Sequence, residues 1–422
     1  MQIRELTNIE FIQFTEYFNQ SSVYQTPEYA MSMSKQNYDT LYLGMINSQN
    51  EIVAASVILI EMLGKFLYAY APRGFLIDYN NEELVKEFST LIKKHLRKKN
   101  IIAIKISPMI IKSRFNKVTK NTEDVSTYDK TFKMLRRNGY YHLGYNNFFE
   151  AFKPRFEAII ELNKNVPTMF NKIHKKYRTK IRSSDKSGIR IYKGTEDNLK
   201  YFYELVKKSY PRNLKYFQDL YTYHKDRNMI DLYIALLDSK QYLMGVQRQY
   251  EKQAIACNKI TEKIFKNQGK ANNSLIDSKI VEDNKFEEIK KKLIMATNFL
   301  HENPDGIITA GAIIIKHKKE AYLLMDGHDP KYKTLNAKHL LIWKLMEKYA
   351  SEGYETLNLG GISNPDVKKN PYAGLNDFKL GFGADAVEYI GDLELITSKP
   401  LYMMYRNYAQ FRKKPNAKKK EE

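Results

Sequence analysis

One lysine near the C-terminus, Lys379, has neighbours that suit a binding or catalytic role. Phe378 precedes it, and leucine, glycine, phenylalanine and glycine follow it. Because glycine lets a backbone approach a ligand closely, a cation at this place could neutralise an oxyanion or a phosphate. It could equally be a surface lysine whose stem covers apolar neighbours. The residue types leave both interpretations open.

The chain that leads to Lys379 is expected to end a strand and then form a loop. Residues 354–359 are predicted to form the strand, and Gly360 and Gly361 are predicted to break it. A polar loop would then carry the chain to Phe378 and Lys379. The lysine is therefore expected beyond the end of a strand, where the backbone can come close to a ligand.

The elements of the chain occur twice in the same order: strand, strand, strand, helix, strand. The first copy is predicted at residues 41–46, 52–62, 66–70, 80–100 and 101–107. The second copy is predicted at residues 231–237, 307–317, 320–325, 335–350 and 354–359. Helices at residues 9–18 and 167–186 are predicted to precede the two copies. Asn80 with Glu83 is predicted to form a capping box for the helix of the first copy.

The repeated order predicts an α/β fold with two tandem GNAT-like (acyl-CoA N-acyltransferase-like) domains. The first domain is expected over residues 1–150 and the second over residues 151–400. Residues 241–303 interrupt the second copy, and their apolar residues recur every three and four positions, with Gln253 as the polar member. This spacing predicts an antiparallel helical coiled-coil arm with its turn at residues 269–274. With about 22 residues per helix, the arm would be ~33 Å long.

Positive charge is the most pronounced feature of the composition. The chain has 69 lysines and arginines against 48 acidic residues, a formal net charge of +21. Such an excess favours RNA, anionic lipid headgroups or diphosphates as partners. Part of it lies in a predicted basic C-terminal tail, residues 401–422, and part in the helix at residues 167–186. Four cations of that helix are candidates for contacts with tRNA or lipid, a solvated helix face being the other interpretation: Lys175, Lys176, Arg178 and Lys180.

Several classes of site are absent from the sequence. Cys257 is the one cysteine, so an intramolecular disulfide and a cysteine-based zinc site are impossible, and a small buried residue of the arm is expected. The eight histidines lack metal-ligand spacing, and no nucleotide-binding or acetyl-CoA-binding glycine motif occurs. We expect no metal and no cofactor. Since there is neither a signal peptide nor a membrane-spanning run, we expect a cytoplasmic protein, with peripheral contact to the membrane as a further possibility.

Four segments, in order along the chain, resemble those of a known family. They are the run YAPRGFLIDY at residues 70–79, KKYRTKIRSSDKSG at 175–188, PRNLKYF at 211–217, and the glycine-rich C-terminal segment at 357–392. Together they resemble the Fem family, the tRNA-dependent aminoacyltransferases that build the interpeptide bridges of peptidoglycan. The family's twin GNAT-like arrangement agrees with the repeat described above, and many of its members carry a coiled-coil arm.

The resemblance implies roles for particular residues. Lys379 matches the family's catalytic-site lysine and Phe378 its neighbour. Arg212 matches the arginine that contacts the diphosphate of the cell-wall precursor, and guanidinium geometry suits a diphosphate. Lys35 lies one or two residues late for the family's phosphate-contacting lysine. Three further substrate-binding candidates are Arg73, Tyr216 and Tyr332, although Arg73 could instead be a structural residue that holds the turn at Asp78.

The function that this resemblance implies is aminoacyl transfer from aminoacyl-tRNA to the stem peptide, or growing bridge, of a peptidoglycan precursor. The basic surface, the arm and the basic tail favour a lipid-linked precursor over a UDP-linked muropeptide. Two alternatives stay open: an acyl-CoA-dependent N-acyltransferase, and a non-catalytic RNA- or membrane-binding module. Neither the transferred amino acid nor the oligomeric state follows from the sequence.

Overall fold

Two mixed β-sheets with helices packed against them make up the molecule. The computed structural model describes residues 1–210, 212–266 and 273–412, the side chains of residues 409–412 excepted. The strands are β1 (Gln2–Glu5), β2 (Asp39–Ile46), β3 (Ile52–Leu63), β4 (Phe66–Ala71), β5 (Ile101–Ile106), β6 (Ile111–Asn116), β7 (Thr122–Asp124), β8 (Tyr140–His142), β9 (Phe156–Glu161), β10 (Ile189–Gly194), β11 (Ile230–Leu237), β12 (Ile307–His317), β13 (Glu320–His328), β14 (Thr356–Ile362), β15 (Asp385–Tyr389) and β16 (Leu393–Ile396).

Thirteen α-helices and two short 3₁₀ helices, at Glu196–Asn198 and Pro330–Leu335, are found in the described residues. The α-helices are α1 (Asn8–Tyr17), α2 (Pro27–Ser34), α3 (Glu82–Lys98), α4 (Thr127–Arg137), α5 (Val166–Lys172), α6 (Lys175–Lys186), α7 (Leu199–Val206), α8 (Leu214–Lys225), α9 (Ser239–Lys266), α10 (Asn273–Glu302), α11 (Ala337–Ser351), α12 (Ala373–Leu380) and α13 (Lys399–Arg412).

The predicted repeat is present in the two sheets. The first sheet has the order β1-β2-β3-β4-β5-β16-β8, and the second has the order β10-β11-β12-β13-β14-β9-β15-β6-β7. In each, three antiparallel strands are followed by a helix, α3 or α11, and by a strand that runs parallel to the third. The α/β fold with two GNAT-like units is confirmed.

The capping box predicted for α3 is wrong by one residue. Asn81 is the N-cap, and its side-chain oxygen accepts a hydrogen bond from the Leu84 amide at 3.0 Å. The Asn80 amide instead donates to the Asp78 carboxylate, at 2.9 Å. Asn80 therefore belongs to the turn that precedes the helix, where an Asp side chain commonly accepts from the second amide along the chain.

The helix predicted over residues 167–186 is two helices, α5 and α6. The break lies at Ile173, which is buried and extended (φ −73°, ψ 137°). The next amide, that of His174, donates to the carbonyl of Gly381 at 2.9 Å. The helix is interrupted because this backbone group bonds to the segment that follows Lys379, and α6 is thereby fixed beside that segment.

The sheets do not divide the chain at residue 150. Strands β6 and β7 lie in the second sheet, although they precede that position. Near the C-terminus, β16 pairs with both β5 and β8 and completes the first sheet. The domain boundaries at residues 150 and 400 stay predictions, because each sheet contains strands from both sides of residue 150.

A buried ion pair joins the two sheets. The Arg73 guanidinium, just after β4, contacts the Glu157 carboxylate of β9 at 2.6 Å, with side-chain exposures of 3% and 2%. Asn358 and Tyr389 also donate to Glu157, at 3.0 and 3.1 Å. Burial by itself raises the pKa of Glu157, but Arg73 and these donors outweigh it and hold the pKa below its usual range.

The predicted arm consists of α9 and α10, which pack against each other along their lengths. They contain 28 and 30 residues, so the arm is ~42 Å long rather than ~33 Å. Gln253 donates to the backbone carbonyl and the carboxylate of Glu282, at 3.1 and 2.6 Å, and Cys257 is buried beside it. Of the predicted turn, residues 269–272 lie outside the described residues, and Asn273 already begins α10.

The C-terminal segment differs from the predicted tail. Residues 399–412 form α13, in which Tyr402, Tyr405 and Tyr408 pack against Phe66 and its neighbours on the first sheet. The helix forms here because tyrosines at three-residue spacing lie on one side of it. The remaining basic residues, 413–422, lie outside the described residues. In the part of the chain that is described, no helix combines the length and hydropathy needed to cross a bilayer.

We predict that Glu157→Gln lowers the free energy of unfolding by about 3–5 kcal/mol, because it leaves the Arg73 guanidinium buried without a counter-charge. Denaturant titration measures the change. The matched control, Asp129→Asn, removes an exposed partner of Lys133 and should change stability by less than about 0.5 kcal/mol. Since the folded-state pKa of Glu157 lies below its unfolded value, the wild-type advantage should be complete at neutral pH and disappear as the pH falls through the folded-state pKa. Equal losses in both variants would contradict this account.

Candidate active site

The second sheet opens between two of its parallel strands. β13 and β14 pair only through Glu320–Tyr322 and Thr356–Asn358, although β13 continues to His328 and β14 to Ile362. In the first sheet the equivalent strands stay paired as far as Ala71 and Ile106, the last residues of both. The opening leaves backbone groups of β13 and β14 free of each other, and so makes room for a ligand in the second unit.

Two glycines shape β14 at this opening. The prediction ends this strand at Leu359. In the structure the strand continues to Ile362, because Gly361 and Ile362 both pair with β9. Gly360 has a φ of 74°, a conformation that favours glycine, and its amide donates to the Asn358 side chain at 2.8 Å. A Cβ on Gly361 would come within 2.6 Å of Pro154. The backbone can therefore follow this path only with glycine at both positions.

Lys379 lies at the opening, on a helix and not on the predicted loop. It occupies the last turn of α12, and its Nζ donates to the carbonyl of Gly361 at 2.8 Å. Burial lowers the pKa of Lys379 to about 8; the carboxylate of Asp326 opposes that decrease, and Lys338 adds to it. One N–H bond of the ammonium group is occupied by Gly361, and the others are available to an anionic group.

Phe378 forms part of an aromatic cluster beside Lys379. Its ring lies 5.2 Å from that of His339 and 5.4 Å from that of Phe382, and the Nζ of Lys338 lies 4.6 Å from its centre. Burial, with Lys180 and Lys338 nearby, lowers the pKa of His339 to about 3, so its ring is neutral at physiological pH. The side chain of Phe378 has no group that exchanges protons, so it cannot act as an acid or base. Its ring instead excludes water near the lysine and shapes the site.

A cavity of about 1030 Å³ lies next to these residues. It is bounded by the ends of β12 and β13, the start of α11, the segment after α7 and the helix that carries Lys379. Charged residues of both signs line it, among them Lys207, Lys208, Asp326 and Lys338. Lys338 forms an ion pair with Asp326. Neither residue is predicted from the sequence, because their proximity to Lys379 depends on how β13, α11 and α12 pack.

Arg212 and Lys35 lie at the same end of a helix pair. Arg227 beyond α8 contacts Glu28 at the start of α2 at 2.8 Å, and the two helices pack together, so they run antiparallel. Arg212, just before α8, and Lys35, at the end of α2, are therefore at the opposite end of the pair, and both are exposed. The guanidinium of Arg212 lies over the ring of Tyr216 at 5.2 Å. This end of the pair presents two cations to solvent, and the half-buried ring of Tyr216 lies beneath one of them.

Arg73 and Tyr332 are placed differently from the expectation. The Arg73 side chain is buried against Glu157, so it is not free to bind a substrate, and the predicted alternative contact with the Asp78 turn is also wrong. The reason is that the carboxylate of Glu157 is the nearer and less solvated partner. Tyr332 packs its ring against Phe299 of the arm, at 5.9 Å. It contacts the base of the arm instead of projecting into an open cleft.

The basic helix α6 lies against the segment that contains Lys379. The hydroxyl of Tyr177 donates to the carbonyl of Asp377 at 2.9 Å. Lys175 and Lys176 are exposed, whereas Arg178 and Lys180 are partly buried. Arg178 donates to Asn171, at 3.1 Å, and the Nζ of Lys180 lies 3.5 Å from His339. The four cations therefore do not form one solvated face, and one of them points towards the aromatic cluster of the site.

Comparison with known proteins identifies the family. A model of the FemAB family matches residues 6–410. The chain is 25% identical over 426 residues to the aminoacyltransferase FemA of Staphylococcus epidermidis, an alignment that covers 98% of this chain and 100% of that protein. It is 25% identical over 373 residues to the lipid II:glycine glycyltransferase of Staphylococcus aureus, which covers 85% of this chain and 84% of that one.

A solved structure, the crystal structure of FemX, has the same fold. The TM-score is 0.74 at 22% sequence identity, and the match covers 96% of this chain and 99% of that chain. The family match extends over the first sheet except β1, the whole second sheet, the arm and most of α13. The chain therefore belongs to the FemAB family, as the resemblance of its motifs indicated.

Proposed function

We propose that this protein transfers an aminoacyl group from aminoacyl-tRNA to an amine on the stem peptide, or growing bridge, of a lipid-linked peptidoglycan precursor. The observation that carries the proposal is the position of Lys379 at the opening between β13 and β14, hydrogen-bonded to Gly361 and next to a large cavity whose lining includes charged residues of both signs. The names of the related proteins, an aminoacyltransferase and a lipid II:glycine glycyltransferase, support this class of donor and acceptor.

The reaction needs charge stabilisation more than a nucleophile on the enzyme. The acceptor amine attacks the ester carbonyl carbon, the C–N bond forms, and the bond to the tRNA ribose oxygen breaks. That oxygen takes up the proton that the amine releases. In the proposal, Lys379 donates a hydrogen bond to the oxyanion that develops on the carbonyl. With a pKa of about 8, most of the lysine is protonated at neutral pH, as this role requires.

The donor tRNA is proposed to approach from the side of α6. Lys175 and Lys176 are exposed there, and Lys180 points towards the Phe378 cluster. Phosphate groups of an RNA backbone would be attracted to such cations at short range. The arm, whose base adjoins the cavity at Asp305, offers a second surface for the same partner. Cytoplasmic location is part of the proposal, because charged tRNA is found there.

The acceptor is proposed to bind with its diphosphate at the end of the α2–α8 pair. Arg212 can donate two parallel hydrogen bonds to a phosphate, and Lys35 supplies a second charge at the same end. Tyr216 supports the guanidinium of Arg212. Arg73 is not part of this site, because its side chain is buried against Glu157 where the two sheets join.

The whole proposal is tested by incubating the protein with charged tRNAs and lipid-linked precursor, and following the precursor by mass spectrometry. We expect the precursor to gain the mass of one or more amino-acid residues, and to gain nothing from acyl-CoA. A mass gain with acyl-CoA but not with charged tRNA would identify a conventional N-acyltransferase. Binding of both substrates without any mass change would identify a non-catalytic module.

We predict that Lys379→Met lowers the transfer rate at least tenfold, which corresponds to ~1.4 kcal/mol in the barrier, because it removes the charge at the developing oxyanion. Single-turnover transfer measures the rate, and the unfolding midpoint shows whether the fold is intact. Lys368→Met, at an exposed position in the loop before α12, is the matched control and should keep the wild-type rate. A wild-type rate in the Lys379 variant would remove this residue from the mechanism.

We predict that Arg212→Ala weakens precursor binding by about 1.5–3 kcal/mol and leaves tRNA binding unchanged, because the lost hydrogen bonds are to a charged diphosphate. Titration of each substrate separately measures both affinities. Arg190→Ala, which removes another exposed arginine, should change neither affinity. Equal losses for the two substrates in the Arg212 variant would mean that this arginine supports the structure of the α2–α8 pair.

A further inference from the structure

The outer surface of α13 is apolar and basic. Its tyrosines face the first sheet, whereas Leu401, Met403 and Met404 have exposures of 37%, 66% and 50%. Lys399 and Arg406 are exposed on the same helix. Exposed apolar side chains beside cations on a surface helix are a feature of helices that lie in the interface of a lipid bilayer.

The charge of this part of the chain is of one sign. From Lys399 to Lys420 the sequence contains eight lysines and arginines and no carboxylate. Five of these cations lie beyond residue 412, outside the described residues, and three belong to the helix itself. An anionic surface would be attracted to this segment within the screening distance of the medium. With the two glutamates that follow, Glu421 and Glu422, residues 399–422 carry eight positive and two negative charges, a net charge of +6.

The helix lies on the same face of the first sheet as the proposed acceptor site. Phe66, Tyr68 and Tyr70 alternate along β4 and point to one face. The ring of Tyr405 packs against Phe66 and Tyr68, at 5.8 and 5.9 Å. On that same face, farther along the strand, the ring of Tyr70 lies 5.2 Å from that of Phe152.

Phe152 connects this face to Arg212. Its side chain is 44% exposed, and its ring lies 6.5 Å from that of Tyr38. Arg212 lies close enough to Tyr38 for its charge to act on the pKa of that tyrosine. Burial has the larger effect and raises the pKa, and Arg212 opposes that increase. An object that contacts the outer surface of α13 would therefore lie alongside the end of the α2–α8 pair at which the precursor diphosphate is proposed to bind.

We propose that α13 docks this protein on an anionic lipid bilayer, with Leu401, Met403 and Met404 inserted between headgroups and Lys399 and Arg406 at the headgroup phosphates. The docking presents the acceptor site to a substrate whose lipid anchor stays in the bilayer. In this respect the inference rests on the proposed lipid-linked acceptor. It adds the surface that contacts the membrane and assigns that contact to α13 and not to the basic helix α6.

Vesicle flotation tests the docking without any substrate. The probes are vesicles of phosphatidylcholine alone and vesicles with about a third phosphatidylglycerol. We expect the wild-type protein to float with the anionic vesicles, and the triple variant Leu401→Gln, Met403→Gln, Met404→Gln to bind them at least tenfold more weakly. The matched control is Ile294→Gln, Met295→Gln, which replaces two exposed apolar residues of the arm and should bind as the wild type does.

A charge variant separates the two parts of the interaction. Lys399→Gln with Arg406→Gln should weaken binding to the anionic vesicles and leave the weaker binding to neutral vesicles unchanged. Wild-type flotation by the triple variant would overturn the proposal, as would a wild-type protein that binds neither kind of vesicle. Light scattering that shows a wild-type dimer, a monomeric triple variant and no vesicle binding would overturn it in favour of contact between copies.

Transfer assays separate this inference from the proposed function. With precursor in detergent micelles, the triple variant should transfer at the wild-type rate, because none of its substitutions touches the reaction site. With the same precursor embedded in anionic vesicles, it should be slower by the factor that its vesicle binding loses. If the wild-type protein floated with vesicles but used neither form of the precursor, the proposed function would fail and the docking would stand.

Discussion

The buried contact between Arg73 and Glu157 is the interaction on which the geometry of the whole molecule depends. It joins the end of β4 in the first sheet to β9 in the second, and Asn358 and Tyr389 fix the same carboxylate from β14 and β15. A charge pair of this kind is stable only when both partners are held in place, because either one alone would be buried without compensation. The angle between the two sheets is therefore constrained at the strand that leads to the reaction site.

That constraint reaches Lys379 through one side chain. Asn358 donates to Glu157 while its oxygen accepts from Gly360, and the next carbonyl along, that of Gly361, accepts from Lys379. The lysine is thus oriented by the backbone of β14, and hydrogen bonds to Glu157 hold that backbone in place at the junction of the two sheets. Only the second unit has an opening there, since the parallel strands of the first stay paired to their ends. The duplication has accordingly produced one unit whose parallel strands open at this place and one whose parallel strands stay paired.

Much of this could be predicted from the sequence, and the errors have a common cause. Regular periodicity located the strands and helices of both copies and the arm, because burial of one face is a local requirement. The break between α5 and α6 was missed because the His174 amide bonds to Gly381, more than two hundred residues away. The continuation of β14 through its glycines was missed for the same reason, since its partner is β9. The predicted roles of Lys379 and Arg212 stay predictions, but the structure places both where a ligand could reach them.

By itself the sequence determined the twin α/β repeat, the helical arm, the excess of positive charge and the motifs that resemble the Fem family. All of these features follow from the spacing and composition of residues over short stretches of the chain. Tertiary structure alone decided that Arg73 is buried against Glu157, that β16 completes the first sheet, and that Asp326 and Lys338 lie near the lysine. These outcomes depend on contacts such as Arg73 with Glu157, separated by 84 positions. No local pattern encodes them, because the free energy that selects such partners comes from burial in the assembled fold.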